Sequence, residues 1–202
     1  MRSNQNNNEP INDQTSDKDL IQFVSNGREA ALNELMARYK HKLFAFILKY
    51  VQDEDVAYDI LQETFIRVYT KANSYKSQFS LSTWIHQIAV NLCRDWGRKQ
   101  RIRHFVSLDS YVTPGSTQSL ADIIEDPNAN VENQASDRMQ IELLDKEIQK
   151  LPHKLKSALI LFTVEGYSQE ECAEILQVTP KTVEMRVYRA RKILLQNLPD
   201  IF

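Results

Sequence analysis

The stretch from Tyr167 to Leu194, YSQEECAEILQVTPKTVEMRVYRARKIL, decides the fold. Ser168 is placed to cap a short helix whose inner face is Cys172, Ala173, Ile175 and Leu176. Gln177-Val178-Thr179 then makes a three-residue turn. Thr179 caps a second helix with Pro180 at its first position, where a missing N–H costs little. In that helix Val183, Val187, Ala190 and Leu194 form one apolar stripe. Lys181, Thr182, Arg186 and Arg189 are expected to lie outward, with Glu184, Met185, Arg191 and Lys192 close by. A helix anchored along one face and basic on the other suits the major groove of duplex DNA. There arginine reads guanine through two hydrogen bonds, while other cations hold phosphates. The plainer alternative is an amphipathic helical hairpin with a solvated basic face.

A second basic region lies upstream, in Phe79–Phe105, FSLSTWIHQIAVNLCRDWGRKQRIRHF. Its first half is apolar and aromatic. Between Arg94 and His104 it carries five cations (Arg94, Arg98, Lys99, Arg101, Arg103) against one acid, Asp95. Ile85, Ile88, Ala89 and Leu92 mark an inner helical face, and Trp84, Gln87, Asn91, Arg94 and Arg98 share another. Tyr75 and Phe79 stand just before it in a polar loop. Rings beside amides and cations suit single-stranded DNA: rings stack on unpaired bases, amides read their edges, and cations track the backbone. Taken singly, Trp84 or Trp96 reads more readily as a core residue. Gly97 costs roughly 1 kcal/mol relative to alanine inside a helix and is expected to bend or loosen it.

The whole chain, by contrast, is slightly acidic: 202 residues with 25 Lys/Arg, 27 Asp/Glu and a formal net charge of −2. With only four glycines and six prolines, the composition favours an all-α protein. Asp53 is placed to cap a helix over Val56–Val68, preceded by a long helix through Leu35, Leu43, Phe46 and Tyr50 and a short one over Leu20, Ile21 and Val24. Further helices are expected near 138–150, 153–165, 168–176 and 180–198. Residues 105–137 hold six acids (Asp109, Asp122, Glu125, Asp126, Glu132, Asp137), no Lys or Arg, and Pro114-Gly115 and Pro127, which are linker signals. The expected organisation is a disordered polar tail (1–16), an N-terminal helical domain (17–104), an acidic linker (105–137) and a C-terminal helix-turn-helix domain (138–202).

No apolar run approaches the length needed to span a bilayer, and the N-terminus lacks a signal-peptide pattern, so a cytoplasmic protein without membrane insertion is expected. Cys93 and Cys172 read as buried thiols, and the four histidines lack ligand spacing, so neither metal nor cofactor is expected. Phosphate-loop, nucleophile-elbow and H-E-x-x-H motifs are absent from the sequence, which gives catalysis no foothold.

Together, VAYDILQETFIRVY (56–69), STWIHQIAVNLCRDWGRKQ (82–100) and the helix-turn-helix resemble an extracytoplasmic-function (group 4) sigma factor of bacterial RNA polymerase. The resemblance implies that the first domain binds the polymerase clamp, through Asp59, Gln62 and Glu63 with Asp55 nearby. It also implies that this domain opens the −10 element, with Phe79, Trp84, Gln87 and Asn91 grasping flipped bases and Tyr75, Arg94, Arg98, Lys99 and Arg101 beside them. Lys181, Thr182, Arg186 and Arg189 then match the reader of the duplex −35 element. Core polymerase, promoter DNA and an anti-sigma protein are the implied partners. The chain departs from the family pattern at Gln177, where a glycine is common in the turn, at Glu184, where a base is common, and at Gln87, where arginine is common. Glu184 either accepts from cytosine N4 or points away from DNA. The competing reading is a self-sufficient helix-turn-helix regulator that binds symmetric half-sites without polymerase.

Overall fold

The structure, a computed structural model, describes residues 11–107 and 131–198, with the backbone alone for 102–107 and 131–138. The described residues are helical, without strands. The expected starts are where side-chain chemistry puts them. Ser16 Oγ accepts from Asp19 N (3.2 Å) to open α1, Asp17–Ser25. Helix α2, Glu29–Val51, stops at Gln52, which is left-handed at φ 54°. Asp53 caps α3, Glu54–Lys71, by accepting from Val56 N at 3.0 Å. After the turn Ala72–Ser74, helix α4 runs from Leu81 to Ser107. It passes through Gly97 without a break, so the glycine does not end the helix before its basic tail.

These four helices share one core. Leu20 and Val24 of α1, Leu35, Leu43 and Phe46 of α2, Phe65 and Val68 of α3, and Ile85 and Ala89 of α4 are buried together. Each such aliphatic or aromatic side chain contributes roughly 1.5–3 kcal/mol by leaving water. The packed chain begins earlier than the expected residue 17. Ile11 packs on the core, and Arg38 donates to the carbonyls of Asn12 (3.2 Å) and Asp13 (2.8 Å), so residues 11–16 are pinned to α2. Residues 1–10 lie outside the described residues.

The second unit comprises α5 (Val131–Lys150), α6 (His153–Leu159), α7 (Gln169–Leu176) and α8 (Pro180–Asn197). Helix α5 starts seven residues before the expected 138, so Glu132 and Asp137 of the expected linker are helical; Asp109, Asp122, Glu125 and Asp126 lie outside the described residues. The helix expected over 153–165 widens after Leu159 into a π turn, Ile160–Val164, which Gly166 closes at φ 72°. Such a turn shifts register, and here it sets Tyr167 against α4.

The two units pack on each other, α4 against α7 and α6, and α2 against α5 and the π turn. The apolar residues of both units belong to one continuous core, and polar contacts join them at its edges. Lys49 pairs with Asp145, and Gln149 Nε2 donates to Lys49 O at 3.0 Å. The Tyr50 hydroxyl is bonded to His153 Nδ1. Lys156 Nζ donates to Tyr50 O (3.2 Å) and Gln149 Oε1 (2.9 Å) and lies 4.4 Å from the centre of the Tyr50 ring. At the other end the Tyr167 hydroxyl sits 2.8 Å from Ser82 Oγ and 3.0 Å from His86 Nδ1, which donates to Ser82 O. Among the described residues every buried side-chain nitrogen or oxygen has a hydrogen-bond partner.

Candidate nucleic-acid interface

The helix-turn-helix folds as its residue types require. Ser168 Oγ accepts from Glu171 N (3.1 Å) while Glu171 Oε2 accepts from Ser168 N (2.9 Å), a reciprocal pair that satisfies two free donors of α7. Helix α7 ends at Gln177, left-handed at φ 53°, ψ 50°. Glutamine thus occupies the conformation that favours glycine. Thr179 Oγ1 accepts from Thr182 N at 3.2 Å, and Pro180 opens α8. Val183, Val187, Ala190 and Leu194 are all buried, so one stripe clamps α8 to its unit.

Opposite that stripe lie Lys181, Met185, Tyr188, Arg189 and Lys192, all exposed. Tyr188, 61% exposed, is absent from the expected set, yet it stands between the cations of that face. The signal that could have found it is its spacing, three after Met185 and seven after Lys181. Glu184 is held by Lys181, with Nζ to Oε1 2.8 Å, and so faces along α8 toward its first turn. Thr182 is half-buried and its hydroxyl is bonded to Thr179 Oγ1 at 2.8 Å. Arg191 is exposed on the flank. Arg186 departs from the expectation: it is half-buried and turned toward α4 rather than outward, because it lies on the side of α8 that meets the first unit.

In the first unit, Phe79 is exposed at the loop tip. Tyr75 is half-buried and braces that loop instead of standing free: its hydroxyl donates to Phe79 O at 2.7 Å and its ring lies 5.4 Å from Trp84. Gln87, Asn91 and Arg94 do share a face, but that face looks across a cleft of about 120 Å³ at His153, Lys154 and Arg186. Arg98, Lys99 and Arg101 are exposed farther along α4. In this arrangement Gln87 and Asn91 are half-buried beside the second unit, while Arg94 stays exposed.

The outer face of α3 carries Asp55, Asp59 and Gln62, all exposed, with Glu63 half-buried and paired to Arg67 at 2.8 Å. Tyr58, Ile66 and Tyr69 are exposed on the same helix, giving it apolar surface beside the carboxylates. The sequence reading assigned these three no role.

Burial sets the protonation of the groups between the units. Desolvation lowers His153 to about 4, with Arg94, Lys156, Arg186 and Arg101 adding to the effect. Desolvation likewise brings His86 to about 4 and Lys156 to about 8. Both histidines are thus neutral acceptors or donors at neutral pH. Cys93 and Cys172 are buried free thiols, pushed up by desolvation, Cys172 to about 12. Among the described residues no group of His, Cys, Asp and Glu could hold a metal ion, and no helix is long and apolar enough to cross a membrane.

Residues 35–103 match the profile of Sigma-70 region 2, and residues 141–194 that of Sigma-70, region 4. The chain is 30% identical over 190 residues to an ECF RNA polymerase sigma-E factor of Haemophilus influenzae, covering 90% of this chain and 95% of that protein. It is 31% identical over 186 residues to the RNA polymerase sigma-H factor of Pseudomonas aeruginosa, covering 90% and 93%. Its fold is similar to that of CnrH, solved in complex with the cytosolic domain of CnrY (TM-score 0.63, 21% identity, 91% of this chain and 97% of that chain). It is also similar to the sigma factor RpoE in complex with the anti-sigma factor NepR from Bartonella quintana (TM-score 0.61, 21% identity, 83% and 96%). A self-sufficient helix-turn-helix regulator would share only its second unit with such proteins, whereas the likeness here runs through both. The chain therefore belongs to the ECF sigma factors of the sigma-70 family and is a promoter-specific sigma subunit of RNA polymerase.

Proposed function

We propose that the two units divide promoter recognition between them, acting in the cytoplasm without catalysis. The first, residues 17–104, meets the polymerase through Asp55, Asp59, Gln62 and Glu63, whose negative face is complementary to a basic partner. It then captures unpaired −10 bases with Phe79, Trp84, Gln87 and Asn91. Tyr75 holds the loop in place, and Arg94, Arg98, Lys99 and Arg101 follow the phosphates. Stacking contributes roughly 1–3 kcal/mol per base, comparable to the cost of unstacking it. The second unit, residues 138–202, reads the −35 duplex with Lys181, Met185 and Arg189, joined by Tyr188. Thr182, Glu184, Arg186 and Arg191 flank them. The acidic linker, residues 105–137, runs between the units.

The observation that carries this reading is α8: one stripe is wholly buried and the opposite face is exposed and basic. The partly covered face of α4 adds a condition. Gln87 and Asn91 are half-buried in the cleft, so full access of bases to them requires the second unit to move away, and polymerase binding and opening go together. An anti-sigma protein is the natural competitor, since two solved proteins of this fold are held by such partners or by a cytosolic domain.

The test mixes the purified chain with bacterial core polymerase and a promoter library and sequences the regions upstream of the transcripts. Recovery of paired −35 and −10 motifs, dependent on this chain, is the expected result. Tight duplex binding by the chain alone, with no polymerase association, would overturn it.

A further inference from the structure

The cleft between the units is built from the helices of both, and every charge that lines it is positive. Arg94 and Asn91 come from α4, His153 and Lys154 from the start of α6, and Arg186 from α8. No aspartate or glutamate lines it. Among the described residues Lys154 and Arg186 form no ion pair, and the carboxylate nearest Arg94 is Asp95, 3.8 Å away and outside the cleft lining. Three cations facing one another across a narrow space repel, and the closed arrangement accepts that cost. The same field reaches His153, which Arg94 and Arg186 help to keep neutral.

A bound anion would turn this repulsion into attraction. The geometry points to a phosphate-binding site at the interface of the two units, which takes a free diphosphate or the diphosphate end of a nucleotide. Two guanidinium groups offer paired N–H donors that fit phosphate oxygens, Lys154 adds a point charge, and Asn91 and Gln87 supply neutral donors. The volume, about 120 Å³, holds one or two phosphate groups in place of several waters, but not a whole nucleotide, whose base would extend into solvent. Because Arg94 belongs to one unit and Lys154 and Arg186 to the other, the ligand binds the closed arrangement better than the open one. Binding is therefore coupled to closure, and the anion opposes engagement of core polymerase.

The test titrates inorganic pyrophosphate, GDP and GMP into the full chain by calorimetry, at ionic strength held constant with sodium chloride. Submillimolar binding of pyrophosphate with unit stoichiometry is expected, accompanied by a fall in the apparent affinity for core polymerase. Lys154 is exposed and lies outside the promoter-reading set, so Lys154→Ala leaves thermal stability and promoter-dependent transcription unchanged. It is expected to weaken pyrophosphate about threefold to fivefold, the loss of one charge-assisted contact near the surface. Binding of GDP alongside pyrophosphate, with GMP weak, identifies the nucleotide source; binding of pyrophosphate alone identifies the free one. Heats no larger than those of matched chloride, or undiminished affinity in Lys154→Ala, would overturn the site.

Discussion

Lys156 offers the sharpest test of how the units are held together. It is only 7% exposed, yet it carries its charge into the interface and spends it on Tyr50 O, Gln149 Oε1 and the Tyr50 ring. Desolvation lowers its pKa from 10.5 to about 8, with Arg101 lowering it further and Cys93 acting the other way. At pH 7 the buried ammonium therefore costs about 3 kcal/mol relative to an unperturbed lysine. Replacing it by methionine removes that cost but strands two acceptors, roughly 1–3 kcal/mol for a buried group left unpaired. The two effects nearly cancel, and Lys156→Met is expected to lie within about 2 kcal/mol of wild type at pH 7.

The pH dependence separates the effects. The folded pKa lies below the unfolded one, so the unfolded chain binds more protons between the two values, and stability rises with pH across that window. From pH 7 to pH 9.5 the wild type should gain about 2 kcal/mol over Lys156→Met, from the ratio of the two binding polynomials. The neighbouring Tyr50 and Cys93 are raised by burial and stay neutral through this range, and His153 is already neutral. Urea unfolding followed by circular dichroism at the two pH values gives the difference directly. If the wild type and the variant shift in parallel, Lys156 is not paying a burial cost and the account of this interface is wrong.

Three further outcomes follow from the same geometry. Gln177→Gly relieves a left-handed glutamine and should stabilise the chain by roughly 0.5–1 kcal/mol, read as a rise in Tm; a fall would mean that the glutamine side chain holds the turn. His86, fully buried and lowered to about 4 by desolvation, contributes stability that is present above its unfolded pKa of 6.5 and is lost as pH falls toward 4, on the order of 3 kcal/mol; His86→Gln should flatten the acid limb of a stability profile. Asp59→Lys places a cation on the exposed face of α3 and should weaken core polymerase binding tenfold or more with unchanged helicity, measured by fluorescence anisotropy; unchanged affinity would remove α3 from the polymerase contact.

What the sequence reveals here is what local chemistry determines. Ser168 with Glu171, Thr179 with Pro180, and Asp53 fix helix starts through bonds spanning three residues, and the stripe of Val183, Val187, Ala190 and Leu194 needs only helical periodicity to be seen. The π turn at Ile160–Val164 was not legible, because ILFTV reads as any apolar helical run. Nor was the pinning of Ile11 by α2, since Arg38 lies 26 residues from Asn12 and the intervening polarity reads as a tail. Arg186 shows the limit most clearly. Charge alone sends it outward toward DNA, but on a helical wheel it borders the buried stripe, three residues from Val183 and four from Ala190, on the side where the cleft to α4 lies.

The contacts between the units bear on function. Lys49 and Tyr50 of α2 join Asp145, His153 and Lys156 of the second unit, contacts that were not legible in the sequence. The ion pairs and hydrogen bonds among them suit reversible opening, because water replaces each of their partners when the units separate. The apolar part, where α4 and α7 share the core, would expose greasy surface on opening and resists it. The buried ammonium of Lys156 favours opening, since it recovers its hydration only in the open form. The balance between the polar and apolar parts leaves Gln87 and Asn91 partly covered in the free chain, and a polymerase that binds the open arrangement better would shift that balance.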